Sequence, residues 1–90
     1  MFPMTHHRDR RELSAKILEL ISFGEKIPFN IYIKIGTNYK ISQEILKNLT
    51  DSGLVSCTEK SKRFREYTIT EKGSKFLRSF KLMEEAMTSP

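Results

Sequence analysis

The chain has 90 residues, with 16 Lys and Arg against 11 Asp and Glu and a formal net charge of +5. That length makes one small domain with a modest core, to which dimerisation could usefully add, and the charge favours a polyanionic partner or surface. Cys57 is the only cysteine, which excludes an intrachain disulfide and fits a reducing cytosol. No apolar run is long enough to span a membrane, and Met1–His7 lacks the apolar core of a signal peptide, so the sequence reads as a soluble intracellular protein.

In chain order, residues 1–8 read as a loose, mildly basic arm, and residues 9–90 as one folded domain. Asp9 and Glu12 have capping-box spacing. The first helix then carries Leu13, Ile17, Leu20 and Ile21 on one face and ends at Ser22-Phe23-Gly24, where glycine can take a left-handed cap conformation. Ile27-Pro28-Phe29 is expected to be extended. The next segment is ambiguous. Ile31, Ile33 and Ile35 alternate with Tyr32 and Lys34, which is a strand pattern. Asn30 as N-cap and Gly36 as stop frame a short helix instead. Thr37-Asn38 is a turn. A helix follows to about Ser52, with Ile41, Ile45 and Leu49 inward, Leu46 at the flank and Gly53 as its cap.

A hairpin comes next. Leu54–Glu59 leads out, Lys60–Arg65 turns and Glu66–Ile69 returns, with Val55, Cys57, Tyr67 and Ile69 as apolar positions spaced by two. Thr70 is the N-cap of the last helix, which runs to about Met87 with Glu71 placed for its dipole. Phe76, Leu77, Phe80, Met83 and Met87 form its apolar stripe. The start of that stripe is expected to pack on the first helix.

A helix followed by a cationic β-ribbon suits DNA, because a helix fits the major groove and the ribbon can lie along the neighbouring backbone. Three segments carry a family resemblance: Ile35–Lys40, Leu49–Val55 and Tyr67–Leu77. They resemble the archaeal winged helix-turn-helix transcriptional regulators, and within them the group of small ten-kilodalton archaeal chromatin proteins. Tyr67-Thr68-Ile69-Thr70-Glu71-Lys72-Gly73 is the sharpest part and recurs across many winged-helix families. The resemblance covers about residues 11–87. It implies an α+β, mainly α fold with a two-stranded hairpin wing and a C-terminal helix, double-stranded DNA as partner, and dimers formed through the last helix. The layout needs a helix over residues 31–35, so the helical reading is taken. The turn before the third helix is shorter than in the chromatin proteins, and the last helix stops where theirs continue as a longer coiled coil.

On a helical wheel at about 100° per residue, Lys40, Gln43 and Lys47 lie opposite Ile41 and Ile45, with Tyr39 at the edge. Gln can pair with adenine edges, and Lys can reach guanine or phosphate. Asn38, with Thr37, is placed to bond phosphate at the helix start. Glu44 beside this face would repel phosphate. Lys60, Lys62, Arg63 and Arg65 crowd the turn with no acid inside it and can clamp phosphate or enter the minor groove. Phe64 among them can pack back on the core, which is the commonest fate, wedge against sugars or stand exposed. The plain alternatives are a solvated helix face and a charged loop protecting a sheet edge.

Arg8, Arg10 and Arg11 could reach backbone near the first helix, or equally belong to a flexible basic arm that touches nothing specific. His6-His7 is a weak metal hint that nothing completes, and Cys57 reads as a small buried hydrophobe. Phe80, Leu82, Met83 and Met87 extend past a small core and suit the same helix of a second copy. No nucleophile motif, phosphate-binding glycine loop or metal spacing is visible, so neither catalysis nor a cofactor is expected.

The sequence thus predicts a cytoplasmic, chromosome-associated, homodimeric regulator that binds DNA sequence-specifically. Two rivals stand beside it: a protein-interaction module docking through the last helix, and a chromatin-coating protein without sequence preference.

Overall fold

A computed structural model describes residues 10–88, the side chains of 87 and 88 excepted. Asp9, the basic arm with Arg8 and His6-His7, and the side chain of Met87 lie outside the described residues. The order of elements is α1 (Arg10–Ser22), α2 (Pro28–Ile35), α3 (Tyr39–Asp51), β1 (Val55–Ser61), β2 (Phe64–Ile69) and α4 (Glu71–Thr88).

The three N-terminal helices bury one shared core because each presents apolar residues at helical spacing. Ile17, Leu18, Ile31, Ile45 and Leu46 are its least exposed members. Gly24 follows α1 with φ 107°.

Over residues 31–35 the helix wins, and its burial shows why. Ile31 and Ile35, four apart, are buried, while Ile33 between them is 56% exposed. A strand would have put all three on one face.

The helix begins earlier than the sequence suggests. Ile27 alone is extended, and Pro28 is already inside the helix. Proline suits that first position because its missing N–H needs no partner there. Asn30 is therefore not the cap; its side chain donates to Glu25 at 3.3 Å, beside Lys34 at 2.8 Å. Gly36 closes α2 with φ 75° and donates its N–H to Tyr32 O.

Asn38 caps α3, its Oδ1 accepting from Ile41 N at 2.8 Å. The buried stripe of α3 is Ser42, Ile45, Leu46 and Leu49. Leu46 is thus central rather than flanking, and Ile41 is only half-buried.

The antiparallel hairpin pairs Val55 with Ile69 and Cys57 with Tyr67. Those residues share its inner face; Val55 and Tyr67 are buried, and Cys57 and Ile69 half-buried. Tyr67 N–H also donates to Lys26 O at 3.0 Å, tying β2 to the segment before α2.

The Thr70–Gly73 segment fixes where α4 leaves the sheet. The Thr70 hydroxyl lies 2.7 Å from Gly53 O and 3.0 Å from Leu54 O, and accepts from Gly73 N. Thr70 N–H donates to Leu54 O at 3.1 Å, and Lys72 Nζ to Ser52 O at 2.9 Å. A Cβ on Gly73 would meet Leu54 O at 2.0 Å. The segment thus clamps the turn between α3 and β1.

Candidate nucleic-acid interface

The outer face of α3 is led by exposed Lys40 and Lys47. Lys47 keeps a loose i,i+4 contact with Asp51 at 3.8 Å. Glu44 between them is matched by Arg10, whose guanidinium lies 2.7 Å from its carboxylate. That hydrogen bond holds the Glu44 carboxyl below its usual range, against a smaller opposing effect of desolvation. Arg10 is thus engaged with α3, which is neither of the two sequence readings, a reach towards the DNA backbone or an arm that touches nothing specific.

Gln43 flanks the two exposed lysines but is half-buried, and its Nε2 is buried without a hydrogen-bond partner among the described residues. Asn38 spends its side-chain oxygen on the helix cap, so one helix-start N–H expected for phosphate, that of Ile41, is already taken. Tyr39 is 51% exposed, with its ring edge-on to Tyr32 at 5.3 Å.

The hairpin turn is tighter than the sequence suggests. Only Lys62 and Arg63 form it; Lys60 and Arg65 stand on the strands. There they meet acids: Lys60 lies 3.9 Å from Glu66, and Arg65 3.5 Å from Glu59. The four cations therefore divide into two with carboxylates beside them and two, at the tip, without an acid partner among the described residues. Strand pairing is the reason, because it sets Glu59 directly opposite Arg65. A register shift between Glu59 and Ser61 bends this end of the ribbon. Phe64 does not return to the core and is 43% exposed.

Two clefts join the ribbon to α3. One, of about 410 Å³, lies among Phe29, Tyr39, Gln43, Lys62, Phe64 and Tyr67. The next, of about 360 Å³, is lined by Gln43, Lys47, Thr50, Cys57, Arg65 and Tyr67. Gln43 and Tyr67 belong to both, so the concave surface is continuous from the wing tip to the middle of α3. Burial and the neighbouring Cys57 push the Tyr67 hydroxyl above its usual pKa. Phe29 and Tyr32 went unrecognised in the sequence. Their rings touch at 5.8 Å, and their i,i+3 spacing was hidden while the start of α2 was placed too late.

On α4, Leu77 is buried, but Phe76 is 44% exposed, so the start of the stripe does not all pack on α1. Phe76, Phe80 and Met83 line a groove of about 500 Å³ together with Arg11 and Glu84. Leu82 is 61% exposed, yet it lies about 120° around the helix from Phe76 and so off that groove. Among the described residues no group of His, Cys, Asp and Glu is arranged to hold a metal, and no helix is long and apolar enough to cross a membrane.

Comparison with solved structures finds the same fold in AF1382 from Archaeoglobus fulgidus, with a TM-score of 0.75, 21% identity, and coverage of 89% of this chain and 92% of that one. Mb0332 from Mycobacterium bovis aligns with a TM-score of 0.63 and 25% identity over 84% of this chain and 68% of that one; it is described as a homodimeric winged helix-turn-helix DNA-binding domain and a possible ArsR-family transcriptional regulator. No curated protein matches the chain. The winged helix-turn-helix family model matches residues 7–88. With that match spanning nearly the whole chain, and with α2, α3 and the hairpin arranged as described, the protein belongs to the winged helix-turn-helix family.

Proposed function

We propose that the protein is a transcriptional regulator that binds double-stranded DNA as a homodimer. In this reading α3 enters the major groove, with Lys40, Lys47 and Tyr39 facing the duplex and Asn38 at its start. The wing tip, Lys62 and Arg63, lies on the flanking backbone, and Lys60 and Arg65 add to it by exchanging their glutamates for phosphate. The observation that carries the reading is the continuous concave surface from α3 to a wing tip whose two cations have no acid partner among the described residues. The description of Mb0332 as a DNA-binding domain supports it.

Gln43 fits a base-reading role because it lines both clefts, from which its amide can turn outward to pair with an adenine edge. The Arg10–Glu44 pair supports docking, since it offsets the one carboxylate at the centre of the α3 face.

The homodimer reading rests on the α4 groove of Phe76, Phe80 and Met83, with Met87 continuing the stripe in sequence, and on the homodimeric neighbour. Two-fold symmetry then implies a palindromic site. Cytoplasmic, chromosome-associated location follows from the same reading, and kinship with the archaeal regulators is proposed on the segments that resemble them.

The test is a titration against a random duplex and against selected sequences at several salt concentrations. Binding should fall steeply with salt. Lys62→Ala with Arg63→Ala should reduce the salt slope by about 1.8, at about 0.9 per lost phosphate contact. Absence of binding at low salt would overturn the reading in favour of a protein-docking module. Equal affinity for every sequence would leave a chromatin-coating protein instead of a regulator.

A further inference from the structure

The cleft between the wing tip and the start of α3 is richer in rings than a phosphate track requires. Phe29 is 59% exposed, Tyr39 51% and Phe64 43%, and all three line it. Single exposed apolar residues are ordinary, but a group at one place marks a surface used for binding. Two of the rings are also held in position: Tyr32 packs edge-on against Tyr39 at 5.3 Å and touches Phe29 at 5.8 Å. Lys62 and Arg63 stand at the same rim.

Aromatic faces bracketed by cations match an unstacked base with its phosphate. A paired duplex keeps its base faces stacked inside and offers such a cleft only sugar and phosphate.

From this we infer that the cleft between the wing and α3 binds an unpaired nucleotide of single-stranded DNA, the base stacking on Tyr39 or Phe64 and the phosphate meeting Lys62 and Arg63. This goes beyond duplex recognition and does not require α3 to enter a groove.

The chain has no Trp and three Tyr, so tyrosine emission reports directly on the cleft. The full chain is titrated with a short oligothymidylate and, in parallel, with an abasic oligonucleotide of equal length and charge. The oligothymidylate should quench tyrosine emission and bind about tenfold or more tightly than the abasic strand. Phe64→Leu should reduce that advantage while leaving abasic binding and thermal melting unchanged, and adding Tyr39→Leu should remove it. Lys62→Ala with Arg63→Ala should weaken both strands alike.

Equal affinity of the wild-type chain for the two strands would overturn the inference, and that comparison needs no variant. So would a base-dependent advantage that survives the two leucine substitutions together, or a loss of duplex affinity in Phe64→Leu as large as its loss for oligothymidylate. A blunt duplex titrated alongside separates this result from the regulator reading: either ligand can bind while the other fails, and each failure refutes only its own proposal.

Discussion

Gly73 lies in the first turn of α4, where helix propensity and tertiary packing predict opposite signs for Gly73→Ala. In an isolated helix the substitution should stabilise by about 1 kcal/mol, because glycine has the greater backbone entropy to lose. In this fold the new Cβ would sit 2.0 Å from Leu54 O. Real Cβ contacts essentially never fall below 3.0 Å, so the Leu54 carbonyl or the whole of α4 must move by about 1 Å. The same carbonyl accepts from Thr70 N–H at 3.1 Å and lies 3.0 Å from its hydroxyl. Losing the Thr70 N–H bond costs about 1 kcal/mol, and forcing extra volume into a packed contact adds about 1–3 kcal/mol. After the helical gain, net destabilisation of about 1–3 kcal/mol remains. For a domain of this size that lowers the melting temperature by on the order of 5–20 °C. Circular dichroism at helical wavelengths during a thermal ramp measures it. A melting temperature unchanged or raised would refute the claim that the Thr70–Gly73 clamp depends on close backbone approach.

Other substitutions test separate parts of the structure. Ile31→Ala should cost about 2–4 kcal/mol in urea unfolding and Ile33→Ala less than about 0.5 kcal/mol, because the helix buries only the first; similar costs would restore the strand reading. Arg10→Ala should raise the Glu44 pKa towards the ordinary carboxylate value, as followed by carboxyl NMR, and weaken duplex binding by exposing that charge to phosphate. Since the folded-state pKa of Glu44 is lowered, the stability it contributes is present above the ordinary carboxylate value. It is lost as pH falls through the lowered value, and Arg10→Ala should abolish this component of acid sensitivity. Sedimentation should show Met83→Lys monomeric at concentrations where the wild type is dimeric, while Leu82→Lys, off the groove, stays dimeric; the reverse order would move the interface to the other side of α4. Lys60→Ala with Arg65→Ala should reduce the salt slope of duplex binding less than the Lys62, Arg63 pair does, since each of those strand cations already faces a carboxylate.

The order of elements and most of their ends were legible in the chain, because the signals there are local. The left-handed residue Gly36, the Asn38 and Thr70 caps, and the period-two apolar positions Val55, Cys57, Tyr67 and Ile69 act over a few residues and need no distant partner. The Thr70–Gly73 motif was legible too, although its reason lay in Gly53 and Leu54, some 16 or 17 positions earlier. The choice of helix for residues 31–35 needed the layout of the whole chain, since alternating isoleucines satisfy either period until a core exists to bury two of the three. Tertiary structure alone decided how the charges and rings were spent. Arg10 met Glu44 across 34 residues, strand pairing set Glu59 beside Arg65, Gln43 turned towards the hairpin, and Phe29, Tyr39 and Phe64 gathered around one cleft. A periodic pattern says which face of an element is apolar; only the packing of one element on another says which polar and aromatic groups are left to meet a partner.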